Sequence, residues 1–330
     1  MYCPYWVFFQ TMRILPSISD ALDEKKVTSV INKKFNNFVP AFYKFVSEWI
    51  INAYSNFKDI EMYMVLIYLV NNDFKFYRKN GIQVDYDTFY KDKTLEIEEI
   101  KIIEISRDLQ IPKESVRRKI IYLEKIGVIK RTRKKIFIDR SAYETVQPIS
   151  ALKNMSYLIS ISSKILKQEN EIPYYFSSNE ISEGIKKHFS FCWYEFYKFI
   201  FSYYFRWRKE LGDLETLCIA LLLISNASSN KDLVLHDIDI EKWRRRISYA
   251  DKVGLNSMSI SDITGIPRPT VVRKVNSLIK KGYAKIDQKK LISLNIEKKV
   301  FSKTQKIQEQ TIKEISQLIY KICHKPKSSK

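Results

Sequence analysis

Residues 111–138 read IPKESVRRKIIYLEKIGVIKRTRKKIFI, and the chain carries the same pattern a second time. Residues 266–294, IPRPTVVRKVNSLIKKGYAKIDQKKLISL, repeat it 155 positions later. Each copy begins with Ile-Pro, places Arg-Lys seven residues further on, a glycine after sixteen residues and Lys-Lys after twenty-three. This match indicates that one structural unit has been duplicated within the chain.

The first part of each copy predicts a helix-turn-helix. Pro112 and Pro267 suit the first turn of a helix, because proline has a preset φ and the N–H that it lacks would have no partner there. Further along, Val116, Ile120 and Leu123 are spaced by four and three residues, which places them on one buried face. The predicted helices are residues 103–109 and 113–126 in the first copy and 258–264 and 268–281 in the second.

The second part of each copy predicts a β-hairpin with a basic tip, the wing of a winged helix. Gly127 and Gly282 end the preceding helices, since the residue after a helix often adopts a left-handed conformation that favours glycine. The predicted strands are 128–130 and 136–139 around the tip 131–135, and 283–286 and 291–293 around the tip 287–290.

The duplication extends into the helices that precede these units. The tetrapeptide FYKF occurs at 42–45 and again at 196–199. Around each copy, large apolar residues step by three and four and therefore share one helix face, which predicts a core stripe rather than a cofactor site. The two stripes are Phe38, Phe42, Phe45 and Trp49, and Cys192, Phe196, Phe199 and Tyr203.

The expected fold class is mainly α with short β-wings: two tandem winged helix-turn-helix units, related by internal duplication and flanked by amphipathic helices. Further apolar helices are predicted at 59–70 and 213–224, irregular segments at 71–98 and 225–255, and amphipathic closing helices at 149–166 and 307–322. The predicted organisation is an unassigned N-terminal segment 1–26, a first unit 27–145, a connecting helix and linker 146–180, a second unit 181–298, and a C-terminal helix with a basic tail 299–330.

The positive charge of the chain is concentrated in the two repeats. The whole sequence carries a net charge of +20. Residues 113–135 carry +8 and residues 268–290 carry +7, so a small part of the chain holds most of that charge. Codon bias from an AT-rich genome would spread lysine evenly, and the clustering therefore indicates a surface for a polyanion.

Nothing in the sequence indicates an enzyme or a metal centre. The four cysteines lie far apart without a CxxC pair, and the three histidines have no plausible Cys or Ser partner. No Gly-rich phosphate loop, HExxH or GxSxG motif occurs. We therefore expect no catalytic residues, no metal and no cofactor, with Cys192 and Cys218 as core thiols.

The sequence also predicts a cytoplasmic protein without a membrane partner. Dispersed cysteines suit a reducing compartment. The apolar start, residues 1–15, lacks the basic region and the cleavage site of a signal peptide. The apolar runs 62–70 and 217–224 are about half the ~20 residues that a membrane-spanning helix needs, and they predict buried core helices.

Double-stranded DNA is the expected partner, bound by the second helix of each repeat and by the wing tips. The first turns of a recognition helix meet base edges in the major groove, where arginine can grip guanine with two hydrogen bonds. Wing lysines and arginines suit the phosphates, which carry no sequence information. The recognition-helix candidates are Lys113, Ser115, Arg117, Arg118, Lys119, Arg268, Thr270, Arg273 and Lys274, and the wing candidates are Arg131, Arg133, Lys134, Lys135, Lys289 and Lys290.

Two details refine this expectation. Arg118 and Arg273 occupy the same position in both copies and are expected to make the closest contacts. Arg117 is replaced by Val272, so the two copies are expected to recognise different sequences. A separate basic run at 244–246 is either a phosphate contact or, more commonly for such runs, a solvated helix face.

The order of elements resembles the bacterial MarR-type winged-helix transcription regulators. The segment 266–282, IPRPTVVRKVNSLIKKG, is similar to the recognition helix of that family and to the glycine that ends it. The resemblance implies a DNA-binding regulator whose first and last helices form a homodimer interface. In this chain the two protomers would be fused, which implies a monomeric pseudo-dimer. The irregular segments depart from the family pattern, so the resemblance assigns no ligand pocket and no effector.

The leading hypothesis is a sequence-specific DNA-binding transcription regulator with two non-identical heads. One alternative is a plasmid- or phage-type replication initiator, because such proteins also pair two winged helices in tandem. A second alternative is a protein-interaction scaffold built from winged helices. The location of the preferred sites, in promoters or in iterated origin repeats, separates the first two. A steep salt dependence of binding separates both from the scaffold.

Overall fold

The computed structural model describes residues 22–142, 147–229, 233, 238–250 and 253–323. Most of the predicted N-terminal segment and the basic tail 325–330 lie outside these residues. The described chain is mainly helical with two small antiparallel sheets, which confirms the mainly α part of the predicted fold class. Its helices include α1 (Glu24–Lys33), α2 (Phe35–Phe57), α3 (Ile60–Lys79), α4 (Tyr86–Tyr90), α5 (Ile102–Leu109), α6 (Lys113–Lys125), α7 (Ile149–Gln168), α8 (Ser178–Lys187), α9 (Phe189–Leu211), α10 (Leu214–Ser228), α11 (Ile240–Ala250), α12 (Ser257–Thr264), α13 (Arg268–Lys281) and α14 (Lys298–Cys323); the strands are β1 (Thr94–Glu98), β2 (Ile129–Arg131), β3 (Lys135–Asp139), β4 (Ala284–Ile286) and β5 (Ile292–Leu294).

The repeated stretch folds into the same elements twice. Helices α5 and α6 are followed by the antiparallel pair β2–β3, and helices α12 and α13 by the pair β4–β5. Gly127 and Gly282 follow the second helix of each pair with φ of 78° and 87°, as predicted for residues that end a helix in the left-handed region. We call the elements from α5 to β3 the first head and those from α12 to β5 the second head.

The two segments predicted to be irregular are ordered for much of their length, which corrects that prediction. Helix α3 continues to Lys79, and α4 and β1 follow it. Strand β1 pairs with β3, so the first sheet has the order β1–β3–β2. In the second unit, the corresponding segment contains helix α11. Leu255 forms an isolated antiparallel bridge with Ile292 of β5, on the side of the hairpin where β1 lies in the first sheet. The alternating burial of Thr94–Glu98 is that of a strand with one face packed on the core.

The aromatic stripes form the centre of the molecule, as predicted. All eight members are at most 6% exposed. Phe42 contacts Phe199 with ring centroids 6.4 Å apart, and Phe45 contacts Phe196 at 5.7 Å. Burying one such side chain contributes about 2 kcal/mol. Because the two FYKF segments pack against each other, the two units share one core.

The main helix contacts between the two units are reciprocal. We call residues 24–168 the first unit and residues 178–323 the second unit. The closing helix α7 packs on α8 of the second unit, and the closing helix α14 packs on α1 of the first unit.

Hydrogen bonds between the units repeat in the same way. The start of α2 bonds to Ile238 through Asn36, whose side chain accepts from the Ile238 N–H at 2.9 Å. The start of α9 bonds to Val84 through Ser190, whose hydroxyl accepts from the Val84 N–H at 3.0 Å. These bonds and the packing of the closing helices thus occur in both directions between the units, which is the pattern of a twofold dimer interface.

Candidate nucleic-acid interface

The turn between the two helices of each head is held by the same hydrogen bond. The hydroxyl of Ser106 donates to the carbonyl of Ile111 at 2.7 Å, and the hydroxyl of Ser261 donates to the carbonyl of Ile266 at 2.7 Å. Both isoleucines are buried. The duplication therefore preserves the backbone geometry of the turn and with it the direction in which α6 and α13 leave the head.

A half-buried ion pair anchors each of these two helices to its own unit. Lys119 of α6 lies 2.5 Å from Asp59 and 3.5 Å from Glu61, at the start of α3. Lys274 of α13 lies 2.6 Å from Asp213 at the start of α10. Each aspartate also caps its helix, since its carboxylate accepts the N–H of the residue three positions on.

This arrangement changes the role of two predicted contacts. The side chains of Lys119 and Lys274 are only 13% exposed and point towards the core helices, not to the outer face with the other candidates. The sequence positions gave no sign of this, because their acidic partners lie about sixty residues away in the chain. We assign both lysines to the support of the helix instead of to contact with a ligand.

The carboxyl groups around Lys274 differ in their affinity for protons. Burial favours the neutral form of Asp213, but hydrogen bonds from Lys274 and Thr216 outweigh it and lower the pKa of that carboxyl. Burial raises the pKa of Glu215, and the neighbouring negative charge of Asp213 adds to the shift. In the first unit, Glu61 has a further cationic partner, Arg208, at 3.2 Å.

The outer faces of α6 and α13 carry the other predicted recognition residues. Ser115 and Thr270 are half-buried beside them, and Arg118 lies 3.4 Å from the Ser115 hydroxyl. Arg117 forms an exposed ion pair with Glu114 at 3.5 Å. The exposed members are Lys113, Arg117 and Arg118 on α6, and Arg268 and Arg273 on α13. Each head thus presents guanidinium groups on the side of the helix opposite the core.

The predicted wing residues fall into two groups. Arg131 makes two hydrogen bonds to Glu124, at 2.8 and 2.6 Å, and this bonding lowers the pKa of the Glu124 carboxyl. Lys135 is paired with Glu96 of β1. These two cations hold the hairpin against α6 and β1. The remaining predicted wing residues are exposed and form no ion pair within the described part of the chain: Arg133, Lys134, Lys289 and Lys290.

Two further cations extend the same surface. Lys130 and Lys285 lie at equivalent positions in β2 and β4, and both are exposed. They are not among the predicted wing residues, although their offset of 155 residues in the repeat is a signal that identifies them. They increase the charge that each hairpin presents beside its helix.

The turn of the first head is also bound by the opposite unit. Arg208, near the end of α9, donates to the carbonyls of Leu109 and Gln110 at 3.1 and 2.6 Å. Its counterpart by the repeat offset is Tyr54 of α2, whose ring lies 3.9 Å from the place that a Cβ would take at Gly265. The other unit thus binds the turn of the first head through an arginine, whereas at the second head it places a tyrosine ring near Gly265.

The basic run at 244–246 is divided between interior and surface. Arg244 is 7% exposed and hydrogen-bonds Gln308 of α14 at 2.6 Å, with Glu241 as its ionic partner. Arg245 and Arg246 are exposed. The possible phosphate contact at Arg244 is thus ruled out by its burial.

Other kinds of site find little support in the described residues. No group of three His, Cys, Asp or Glu side chains within them is arranged to hold a metal ion. Within the same residues, no helix by itself has the length and apolarity to cross a bilayer; α9 and α10 reach them only together, and they meet at a bend of 99°. Comparisons of the chain with protein-family models, with curated proteins and with solved structures each gave no match.

Proposed function

We propose that each head is a winged helix-turn-helix and that the protein is a sequence-specific regulator of transcription that binds double-stranded DNA. The first head would insert α6, and the second head α13, into the major groove. The hairpins β2–β3 and β4–β5 would lie along the flanking phosphates. The chain would act as a monomeric pseudo-dimer, because its two units already make the interface that a dimer would make.

One observation carries this proposal: an exposed arginine lies at the same position of α6 and of α13, and both helices are anchored in the same way. Arg118 and Arg273 are both exposed, and the lysine that follows each of them is anchored to the core by an equivalent ion pair. Internal pairs of this kind fix the helix rotation and leave the arginines pointing outward. A scaffold for protein contacts would not require cations at these positions in both copies.

The reciprocal contacts between the units also determine the expected form of the DNA site. Units related by a twofold rotation present their recognition helices in opposite directions, and the duplex has its own twofold axes between base pairs. We therefore expect an inverted repeat, imperfect because the two helices differ, with half-sites about one helical turn apart.

A salt titration tests DNA binding itself. Duplexes selected by the intact protein from a random-sequence library would be bound at several salt concentrations, and the logarithm of affinity should fall steeply with the logarithm of salt as counterions are released. An affinity that does not change with salt would support the scaffold instead. The genomic positions of selected fragments, in promoters or in iterated origin repeats, separate a regulator from a replication initiator.

Footprinting of single variants tests the two-head arrangement. Arg118→Ala should weaken protection of one half-site and Arg273→Ala that of the other, each by about tenfold in affinity. Lys153→Ala removes one exposed charge from α7, a helix that belongs to neither head, and should leave both half-sites protected. Identical footprints for the two arginine variants would contradict the proposal.

A further inference from the structure

The outer faces of the two recognition helices differ along one stripe, and this stripe assigns different bases to the two half-sites. Residues four apart on a helix lie above one another. In the first head such a stripe consists of Lys113, Arg117 and Ile121, all exposed. In the second head the equivalent stripe consists of Arg268, Val272 and Asn276, also exposed.

The two stripes can be compared position by position because the helices are held in the same way. The serine bond across the turn and the lysine anchor occur in both heads at equivalent positions. A side chain at position 117 therefore meets its half-site from the same direction as the side chain at 272. Differences between the two half-sites then follow from side-chain chemistry alone.

We propose, on the basis of the DNA-binding function proposed above, that the first head selects guanine and the second head selects an adenine–thymine step. Arg117 and Arg118 offer two neighbouring guanidinium groups, which match the O6 and N7 acceptors of guanine. The ion pair of Arg117 with Glu114 has both side chains more than half exposed, so it opens at little cost. Ile121 adds no hydrogen bond beyond them.

In the second head the same stripe has lost one charge and gained an amide. Val272 is 43% exposed and can pack on the C5 methyl group of thymine. Asn276, one turn further on, can donate to N7 and accept from the N6 amino group of adenine. Arg273 remains as the contact that the two heads share, so the second half-site is not confined to A·T pairs.

Base analogues in a selected duplex test this assignment one atom at a time. Guanines of the first half-site would be replaced by 7-deazaguanine, which lacks the N7 acceptor, and thymines of the second half-site by uracil, which lacks the methyl group. We expect about a tenfold loss of affinity from the first replacement. The second should cost about fourfold, the value for one buried methyl group.

Matched variants connect each analogue effect to its residue. Arg117→Val should reduce the 7-deazaguanine effect to the part that Arg118 retains, and Val272→Ala should remove most of the uracil effect, while the other half-site keeps its response. Asn276→Ala should remove sensitivity to 7-deazaadenine. Both substituted side chains at 117 and 272 are exposed, so folding is not at stake, and unchanged circular dichroism and melting serve as the check.

The outcomes distinguish this inference from the proposed function. A protein that forms no salt-dependent complex with any selected duplex would overturn both. A salt-dependent complex in which the two half-sites respond alike to all three analogues, or in which Arg117→Val leaves the guanine response unchanged, would overturn the base assignment alone.

Discussion

The two heads agree in the interior and differ on the surface. Both turns carry the serine-to-carbonyl bond of 2.7 Å, and α6 and α13 are each anchored by a lysine to a capping aspartate. On the outer face, by contrast, Arg117 stands against Val272 and Ile121 against Asn276. The contacts that support each helix are coupled, so that substituting one residue leaves its partner without a bond. A residue on the exposed face can be substituted without destabilising the fold.

The largest expected effect concerns the capping aspartates. Asp59→Ala and Asp213→Ala each remove a helix cap and the partner of a half-buried lysine, and each should lower the free energy of unfolding by about 2 kcal/mol. The loss should be larger for Asp213, because Lys274 then has only Glu215 at 3.9 Å, whereas Lys119 keeps Glu61 at 3.5 Å. Denaturant unfolding measures both.

Asparagine at the same positions provides the control. Asp59→Asn and Asp213→Asn keep a side chain that caps a helix well but remove its charge, so they should recover about half of the loss. If all four variants unfold like the parent protein, the lysine–aspartate pairs do not hold α6 and α13 in place. The outer faces of the two helices could then not be compared position by position.

A second prediction concerns Arg208, whose hydrogen bonds to the first head have no equivalent at the second head among the residues that the structure describes. Arg208→Ala removes hydrogen bonds to the carbonyls of Leu109 and Gln110, so the turn of the first head loses its support from α9. Affinity for the first half-site should fall about fivefold, within the usual range for a charge-assisted hydrogen bond, with the second half-site unaffected. The exposed neighbour Lys209→Ala is the control, and equal losses at both half-sites would contradict this account.

The wings should show a smaller, sequence-independent effect. Removing Arg133 and Lys134 together, or Lys289 and Lys290 together, should weaken binding to selected and unrelated duplexes alike and make the salt dependence shallower by about one unit of slope per lost phosphate contact. Arg131→Ala is the comparison, because that side chain is bonded to Glu124. It should change the melting temperature more than the salt slope.

The smallest expected effect on stability concerns the protonation of Glu215, which lies beside Lys274 in the second unit. Because the pKa of Glu215 is raised in the folded state, its protonation favours folding, and this stabilisation is lost as pH rises through the folded pKa. Glu215→Gln should therefore raise stability at neutral pH by no more than about 0.5 kcal/mol, and the gain should vanish towards acidic pH. Glu61→Gln should instead destabilise, because Glu61 is bonded to Arg208. Thermal melts across this pH range compare the two.

The sequence predicted those parts of the fold that depend on local pattern. Spacing by three and four located the helices and their buried faces, and the internal repeat confirmed each assignment independently. The bounds of α6 and α13 were correct to within one residue. The exposure of Arg118 and Arg273 followed directly from the burial of Val116 and Val271, because residues two apart lie about 200° from each other around a helix.

Features that depend on distant partners were not predictable in the same way. Strand β1 was missed because five residues of alternating burial acquire a partner only from a hairpin about forty residues later. The anchoring of Lys119 was missed because a lysine on a basic helix gives no local sign of a carboxylate that lies across the fold. The burial of Arg244 depends on α14, more than sixty residues further along.

Because the two FYKF segments pack against each other, cleavage of the chain between the two units should affect the stability of both. A cut in the connection between α7 and α8 would yield two fragments, each with half of an aromatic interior open to water. Neither would be a stable protein by itself, since burial of Phe42 and Phe45 requires Phe199 and Phe196 from the other fragment. Mixed together, they would reassemble only as a complementary pair, with an affinity set by that interior.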